Sequence, residues 1–196
     1  MTKGRLEAFT DGVLAIIITI MVLELKVPHG GGTFADLKPL LPVFGSYILS
    51  FIYLAIYWNN HHHMMQTVRH VSGRILWANM HLLFWLSLIP FVTGWMGENH
   101  FTTASVFLYG VILLCAALAY FILQTLIIKS HGKDSVLAKA LGKDIKGKSS
   151  PVLYILGIVA AFINVWISGF FYILVAVIWL IPDSRIEKTL KENGVD

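Results

Sequence analysis

Residues 5–23 read RLEAFTDGVLAIIITIMVL. An arginine, two carboxylates and a hydroxyl therefore stand at one end of a segment whose remainder suits only lipid or a dry protein core. An ionised side chain near the middle of a bilayer costs about 2.5–3.5 kcal/mol on insertion scales, so such groups are seldom without a role. The segment raises two questions: whether it crosses a membrane, and what its polar end does there.

The composition of the whole chain indicates an integral membrane protein. Of 196 residues, 57% are hydrophobic and only 13% are charged, whereas soluble domains carry roughly 25% charged residues. The single cysteine, Cys115, excludes a disulfide framework and a cysteine-based metal site. Glu7 and Asp11 interrupt the basic start, and no small-x-small cleavage site follows Leu23. We therefore expect a retained helix rather than a cleaved signal peptide.

Hydrophobic run lengths predict an all-α membrane protein with six transmembrane helices in one domain covering residues 1–196. A membrane-spanning helix needs about 20 mostly apolar residues. The last uncharged run, residues 149–182, is too long for one crossing, and its Asn164–Gly169 stretch suggests a tight hairpin. The predicted spans are 5–27, 35–65, 72–98 (interrupted by Pro90), 101–130, 149–164 and 168–186.

The distribution of basic residues predicts the orientation. Six spans with a cytoplasmic N-terminus put all but Lys26 and Lys38 of the 15 Lys and Arg residues on the cytoplasmic side. Such a lopsided split follows the positive-inside rule. We therefore expect both termini, and the polar basic loop of residues 129–150, in the cytoplasm. The positive net charge of +4 has this topological explanation, and we expect no nucleic-acid partner.

The first span has one mainly apolar stripe. At about 100° per residue, the stripe consists of Arg5, Phe9, Gly12, Ile16, Thr19, Ile20 and Leu23. One interpretation is that this stripe packs on a neighbouring helix, as most apolar stripes do. The other is that it lines a water path and forms a hydrophobic constriction, which can gate by dewetting.

Polar side chains from three predicted spans lie at the same cytoplasmic depth. They are Arg5, Thr10 and Asp11 of the first span, Trp58 and His61–His63 of the second, and Asn79 and His81 of the third. Because polar groups inside a bilayer must find partners, a hydrogen-bond network joining the three helices is the favoured interpretation. A metal site is the alternative, although three successive histidines cannot converge and no H-x-x-x-H spacing is present. No catalytic motif such as G-x-S-x-G occurs, so we expect no enzyme.

Several of these residues resemble a known family. Arg5-x-x-x-Phe9-Thr10-Asp11 is similar to the R-x-x-x-F-S-D signature of the transmembrane protein 175 family, the lysosomal and bacterial potassium channels. Trp58 with His61 and His62, and Asn79 leading to Pro90-Phe91, also resemble that family. The resemblance covers essentially the whole chain, and one departure is Thr10, where the family usually has serine.

The resemblance implies a homotetramer whose pore is lined by the first helix of each subunit. Carried onto this sequence, the pore and constriction positions are Ile16, Thr19, Ile20 and Leu23. The implied interhelical network consists of Arg5, Phe9, Thr10, Asp11, Trp58, His61, Asn79 and His81. The apolar pore positions coincide with the stripe found from periodicity, so the resemblance favours the pore interpretation over simple packing.

The resulting expectation is a potassium-preferring cation channel in the plasma membrane of a prokaryote. It would conduct K⁺ through a hydrophobic constriction without a carbonyl selectivity filter, need no cofactor or metal, and have membrane lipid as its surroundings. The alternative is a proton- or metal-coupled transporter that uses Asp11 and the His61–His63 cluster. Transporters of that kind often show internal repeats, and none is evident between the first and second halves of the chain.

Overall fold

The computed structural model describes residues 2–29, 32–132, 134–142 and 144–180. Every regular element within these ranges is helical, which confirms the all-α fold. The elements in order are α1 (Lys3–Val22), a 3-10 helix (Phe34–Leu40), α2 (Leu41–Gln66), α3 (Gly73–Ser87), α4 (Ile89–Glu98), α5 (Thr103–His131), α6 (Val136–Leu141), α7 (Ile145–Ala160) and α8 (Val165–Leu180). Three helical stretches of the described residues are long and apolar enough to cross a membrane: Phe34–Gln66, Gly73–Glu98 and Thr103–His131. The helix Val165–Leu180 is also apolar but shorter.

The first helix ends earlier than the sequence suggests. α1 stops at Val22 rather than at residue 27. The N–H groups of Leu23 and Glu24 donate to Ile20 and Met21 carbonyls at 3.0 and 3.2 Å. These bonds to the third preceding residue tighten the end of the helix and satisfy carbonyls that lack an α-helical partner.

The third predicted span, 72–98, is divided into two helices. α3 ends at Ser87, Leu88 lies between the helices, and α4 begins at Ile89. Pro90 occupies the first turn of α4, where a residue without a backbone N–H is tolerated because that donor would have no helical partner. The division therefore falls where the sequence places its proline.

The remaining predicted spans differ from the helices mainly at their ends. The 35–65 span is a 3-10 helix followed by α2, and the 101–130 span is α5. The 149–164 span begins earlier, as α7, because the Asp144 carboxylate caps the helix by accepting a hydrogen bond from the Gly147 N–H. The 168–186 span is α8, and its residues 181–186 lie outside the described residues. The loop predicted for residues 129–150 contains the short helix α6, with Leu137 and Leu141 buried.

The second half of the chain packs closely around Tyr172 of α8. A Cβ added at Gly157 of α7 would lie 2.6 Å from Tyr172 Cε1, and one added at Gly110 of α5 would collide with the Tyr172 hydroxyl. The Tyr53 hydroxyl of α2 donates to the Tyr172 carbonyl at 2.6 Å. α5, α7 and α8 therefore form a tightly fitted unit, and α1 packs on α2, α3 and α4.

Candidate functional site

One face of α1 is turned away from the rest of the chain. The side chains of Ile16, Ile20 and Leu23 are 59%, 44% and 67% exposed. The opposite face is buried and consists of Leu6, Thr10, Leu14, Ile17 and Met21. The exposed face includes every member of the predicted stripe: Arg5, Phe9, Gly12, Ile16, Thr19, Ile20 and Leu23. The rest of the chain therefore leaves this mainly apolar stripe uncovered.

Thr19 is the polar residue in the part of the stripe that runs from Ile16 to Leu23. Its hydroxyl lies 3.1 Å from the Ala15 carbonyl and 2.9 Å from the Ile16 carbonyl, and donates to these backbone oxygens of its own helix. The lone pairs of the hydroxyl oxygen remain available on the exposed face, since a hydroxyl is both donor and acceptor. Thr19 can therefore offer one weak oxygen contact between two isoleucine side chains.

A groove of about 490 Å³ runs beside the stripe, between α1 and the α3–α4 junction. Ile16 and Ile20 line it from α1, and Pro90 and Phe91 line it from α4. Glu24 lies at the groove, and its side chain rests against Gly94 of α4, where an added Cβ would be 3.0 Å from the carboxylate. The stripe is thus bordered by a concave, mainly apolar surface.

A buried hydrogen-bond chain joins α1, α2 and α3. His61 Nε2 lies 2.8 Å from Asn79 Oδ1, and Asn79 Nδ2 donates to Thr10 Oγ1 at 2.9 Å. The three side chains are at most 3% exposed. Because an amide oxygen only accepts, His61 Nε2 carries its hydrogen in this arrangement. The Asn79 amide therefore fixes the buried face of α1 to its two neighbours.

A second contact joins α1 to α2 at the surface of the chain. Trp58 Nε1 donates to Asp11 Oδ1 at 2.9 Å, and both residues are exposed. The Trp58 ring stacks on His62, with the ring centroids 6.1 Å apart and the planes inclined by 19°. The Asp11 carboxylate therefore has a neutral indole N–H as its partner.

The other residues of the predicted network lie apart from these contacts. Arg5 and Phe9 are exposed on the α1 stripe, and no side-chain hydrogen bond or ion pair of Arg5 is found among the described residues. His81 is exposed on α3 and accepts a hydrogen bond from Trp85 Nε1 at 2.9 Å, one turn along the same helix. The structure thus brings together Thr10 with Asn79 and His61, and Asp11 with Trp58.

The three successive histidines point to three different surroundings. His61 enters the buried chain, whereas His62 contacts Trp58 and Gln66. His63 is half-buried, and its Nδ1 has no hydrogen-bond partner within the described ranges. Within the described part of the chain, no group of three His, Cys, Asp or Glu side chains could hold a metal ion. Sequence reasoning did not identify His62 as a stacking partner, although its position four residues after Trp58 is the helical spacing for such contacts.

Comparisons with known proteins include the exposed stripe of α1 and the buried hydrogen-bond chain. The family model for the endosomal/lysosomal potassium channel TMEM175 matches residues 5–90. A potassium channel of Chryseobacterium sp. (strain P1-3) is 59% identical over 193 residues, which is 98% of this chain and 100% of that protein. The chain belongs to the TMEM175 family. The resemblance inferred from the Arg5–Asp11 motif is thereby confirmed.

Two further TMEM175 relatives bear on the fold and on the conducted ion. The crystal structure of a lysosomal potassium-selective channel TMEM175 homolog from Chamaesiphon minutus superposes with a TM-score of 0.81 at 28% identity, covering 92% of this chain and 97% of that one. The mouse endosomal/lysosomal proton channel TMEM175 is 30% identical over 101 residues, which is 46% of this chain and 20% of that protein. The region matched by the TMEM175 family model begins at Arg5 and ends at Pro90, so it contains the exposed stripe and the buried chain.

Proposed function

We infer that this chain forms a potassium channel and is not an enzyme. The observation that carries the inference is the uncovered apolar stripe of α1 in a chain that is related over nearly its whole length to a potassium channel. An exposed apolar helix face in a TMEM175 protein must be covered either by lipid or by further copies of the same chain. Further copies would turn the stripe into the wall of a central conduction path.

Several copies are needed because one protomer cannot enclose a pore with α1. Its buried face is packed on α2, α3 and α4, and only the opposite face is open. Cyclic symmetry supplies the missing walls by repeating the same helix around an axis. The proposed assembly is a homotetramer, as the family resemblance implies, with four α1 helices around the axis.

The constriction is proposed to consist of stacked apolar rings. Four copies each of Ile16, Ile20 and Leu23 would surround the axis, with the Thr19 hydroxyls between the first and second rings. Narrow apolar rings exclude water and ions, and a wider arrangement lets a hydrated or partly dehydrated cation pass. Because potassium is easier to dehydrate than sodium, such a neck favours potassium without a carbonyl filter, and no T-V-G-Y-G sequence is present.

The hydrogen-bond chain is proposed to hold α1 at the right rotation. Thr10 lies on the face opposite the stripe and is tied to Asn79, which is tied to His61. A rotation of α1 by one residue, about 100°, would break the Thr10 contact and turn Ile16 and Ile20 away from the axis. Positioning α1 is therefore the proposed role of this hydrogen-bond chain and of the Asp11–Trp58 contact. Arg5, Phe9 and His81, which the family resemblance adds to the network, lie apart from both contacts.

The proposed setting is the plasma membrane of a prokaryote, with six crossings in one domain and both termini in the cytoplasm. The excess of basic residues in the cytoplasmic segments supports this orientation. α1, α7 and α8 would supply the three crossings beyond the three long apolar helices. Lipid surrounds the outer faces, potassium is the permeant ion, and the proposed mechanism uses no cofactor.

The test is potassium flux into liposomes that contain the purified protein, measured against sodium flux. Ile16→Asn places a polar ring in the constriction, and we expect faster flux with a smaller preference for potassium. Ile155→Asn is the matched control, because Ile155 lies on α7 and is similarly exposed at 51%, and we expect unchanged flux. Absence of potassium flux through the wild-type protein would contradict the proposed function. Equal effects of the two substitutions would contradict the assignment of the stripe.

Proton conduction is the second candidate, because the mouse relative is named a proton channel. The same liposomes can be loaded with a pH-sensitive dye to measure proton entry driven by a pH gradient. If protons use the α1 path, Ile16→Asn should alter proton and potassium entry together. If Asp11 and His61 carry protons instead, Asp11→Asn should abolish proton entry while potassium flux remains.

A further inference from the structure

A small cavity lies between α2, α5, α7 and α8. Its volume is about 50 Å³. A water molecule needs roughly 10–15 Å³ of such space, so the cavity has room for about four heavy atoms. Six of its thirteen lining residues are aromatic, and among the described residues the wall contains one carboxylate, that of Asp144.

Three aromatic rings form successive walls of this cavity. The centroids of Tyr57 and Tyr120 are 6.1 Å apart with planes inclined by 65°, and those of Tyr120 and Trp179 are 6.4 Å apart with planes inclined by 72°. The Trp179 Nε1–H donates to Ser150 Oγ at 2.7 Å. All three rings belong to the wall of the cavity, where they meet edge to face. The negative face of an aromatic ring attracts a cation within about 6 Å.

The Asp144 carboxylate supplies the charge. Asp144 is only 7% exposed. Its Oδ2 accepts from Gln124 Nε2 and its Oδ1 accepts from the Gly147 N–H, each at 3.1 Å. Both donors are neutral, so these two bonds orient the carboxylate without compensating its charge. A buried carboxylate is costly unless it is paired with a cation or has further hydrogen bonds.

We propose that this cavity binds a small organic cation, an alkylammonium or guanidinium group of about four heavy atoms. The Asp144 carboxylate would accept hydrogen bonds from the cationic nitrogen, and the rings of Tyr57, Tyr120 and Trp179 would face its carbon–nitrogen skeleton. A hydrated metal cation would gain little from the aromatic walls, whereas an alkylammonium group uses both features. The cation could be a soluble amine or the ammonium headgroup of a membrane lipid.

The test measures equilibrium binding of radiolabelled ethanolammonium to the full-length protein in nanodiscs of phosphatidylcholine and phosphatidylglycerol. Asp144→Asn is the decisive variant. Asparagine is as good a helix N-cap as aspartate and tolerates the positive φ of 39° at this position. The substitution therefore removes the charge and keeps the cap of α7. We expect a loss of affinity of about tenfold or more, the range for a hydrogen bond to a charged group.

Two further variants separate the charge from the walls. Asp134→Asn removes an exposed carboxylate in the same connection between α5 and α7, and we expect unchanged affinity. Trp179→Leu removes one aromatic face and keeps the carboxylate, and we expect roughly threefold weaker binding. Replacing phosphatidylcholine by phosphatidylethanolamine identifies the source: competition assigns the site to the lipid headgroup, and no competition assigns it to a soluble amine.

The proposal is overturned if the wild-type protein shows no saturable ethanolammonium binding in phosphatidylethanolamine-free nanodiscs. It is equally overturned if Asp144→Asn, with unchanged helicity and oligomeric size, binds as tightly as the wild type. A loss of binding in Asp134→Asn as large as that in Asp144→Asn would also exclude the site. The readout is binding rather than flux, so the result does not depend on whether the chain conducts potassium.

Discussion

Replacing Thr10 by valine tests whether the buried hydrogen-bond chain holds α1 in place. Valine has nearly the shape of threonine, so the packing of this 1% exposed side chain is preserved. The change removes only the oxygen that accepts from Asn79 Nδ2, and leaves that N–H without its partner. A buried polar group that loses its partner costs about 1–3 kcal/mol. Hydrogen bonds between transmembrane helices average about 0.6 kcal/mol and reach about 1.7 kcal/mol. We therefore expect a loss of about 1–2 kcal/mol per protomer.

The assay is the apparent free energy of unfolding, obtained by titrating SDS into mixed micelles at one fixed protein concentration. The concentration must be fixed because the proposed association of subunits would contribute to the measured stability. Thr19→Val is the matched control. It is the same substitution in the same helix, but the Thr19 hydroxyl is exposed and bonds only to backbone carbonyls of α1. We expect its effect to stay within about 0.5 kcal/mol.

A double-mutant cycle isolates the bond itself. Asn79→Leu removes the bonds to both Thr10 and His61, so it should be the more damaging single change. If the Thr10–Asn79 bond exists, the double variant should be less destabilised than the sum of the two single variants by about 1 kcal/mol. Additivity within about 0.3 kcal/mol, or a Thr10→Val variant as stable as the wild type, would refute the positioning role.

Two other substitutions test neighbouring contacts by the same titration. Gly97→Ala should destabilise the protein by about 1–3 kcal/mol, because the added Cβ would lie 2.5 Å from Val43 Cα and force α2 and α4 apart. Gly45→Ala is its control, since nothing lies within 4 Å of a Cβ there, and a loss of stability at Gly45 as large as that at Gly97 would contradict the packing. Trp58→Phe removes the donor to Asp11 and should cost less than about 1 kcal/mol, because both groups are exposed. A loss above about 2 kcal/mol would mean that the contact is buried in the assembly.

The α1 stripe was accessible from the sequence because it depends on helical periodicity alone. Residues three and four apart share a face of any α-helix, so Ile16, Ile20 and Leu23 had to lie together once the segment was helical. Whether that face points inward or outward depends on the neighbouring helices. The direction follows from Thr10 on the opposite face, because its hydrogen bond to Asn79 turns that face toward α3.

The partners within the polar cluster could not be derived from the sequence. Asn79 and His81 are two residues apart on one helix, so their side chains point about 200° apart and only one can face α1. The rotation of α3 decides which, and it is set by packing on α5 rather than by local sequence. The end of α1 and the start of α7 were also missed, because capping by Asp144 or by i→i+3 bonds depends on side-chain and backbone geometry. The cavity at Asp144 joins Gln124 and Tyr57 across three helices, which no spacing along the chain reveals.

Chemical modification of the α1 stripe during conduction tests directly whether α1 lines the conduction path. Cys115 is the single native cysteine, so Cys115→Ala gives a background without thiols. Ile20→Cys and, as control, Ile155→Cys are then introduced one at a time, and potassium flux through liposomes is followed while a membrane-impermeant cationic thiol reagent is added. If α1 lines the conduction path, the reagent attaches positive charge at residue 20 and abolishes flux in Ile20→Cys, but leaves flux unchanged in Ile155→Cys. Unchanged flux in a labelled Ile20→Cys channel would contradict the account.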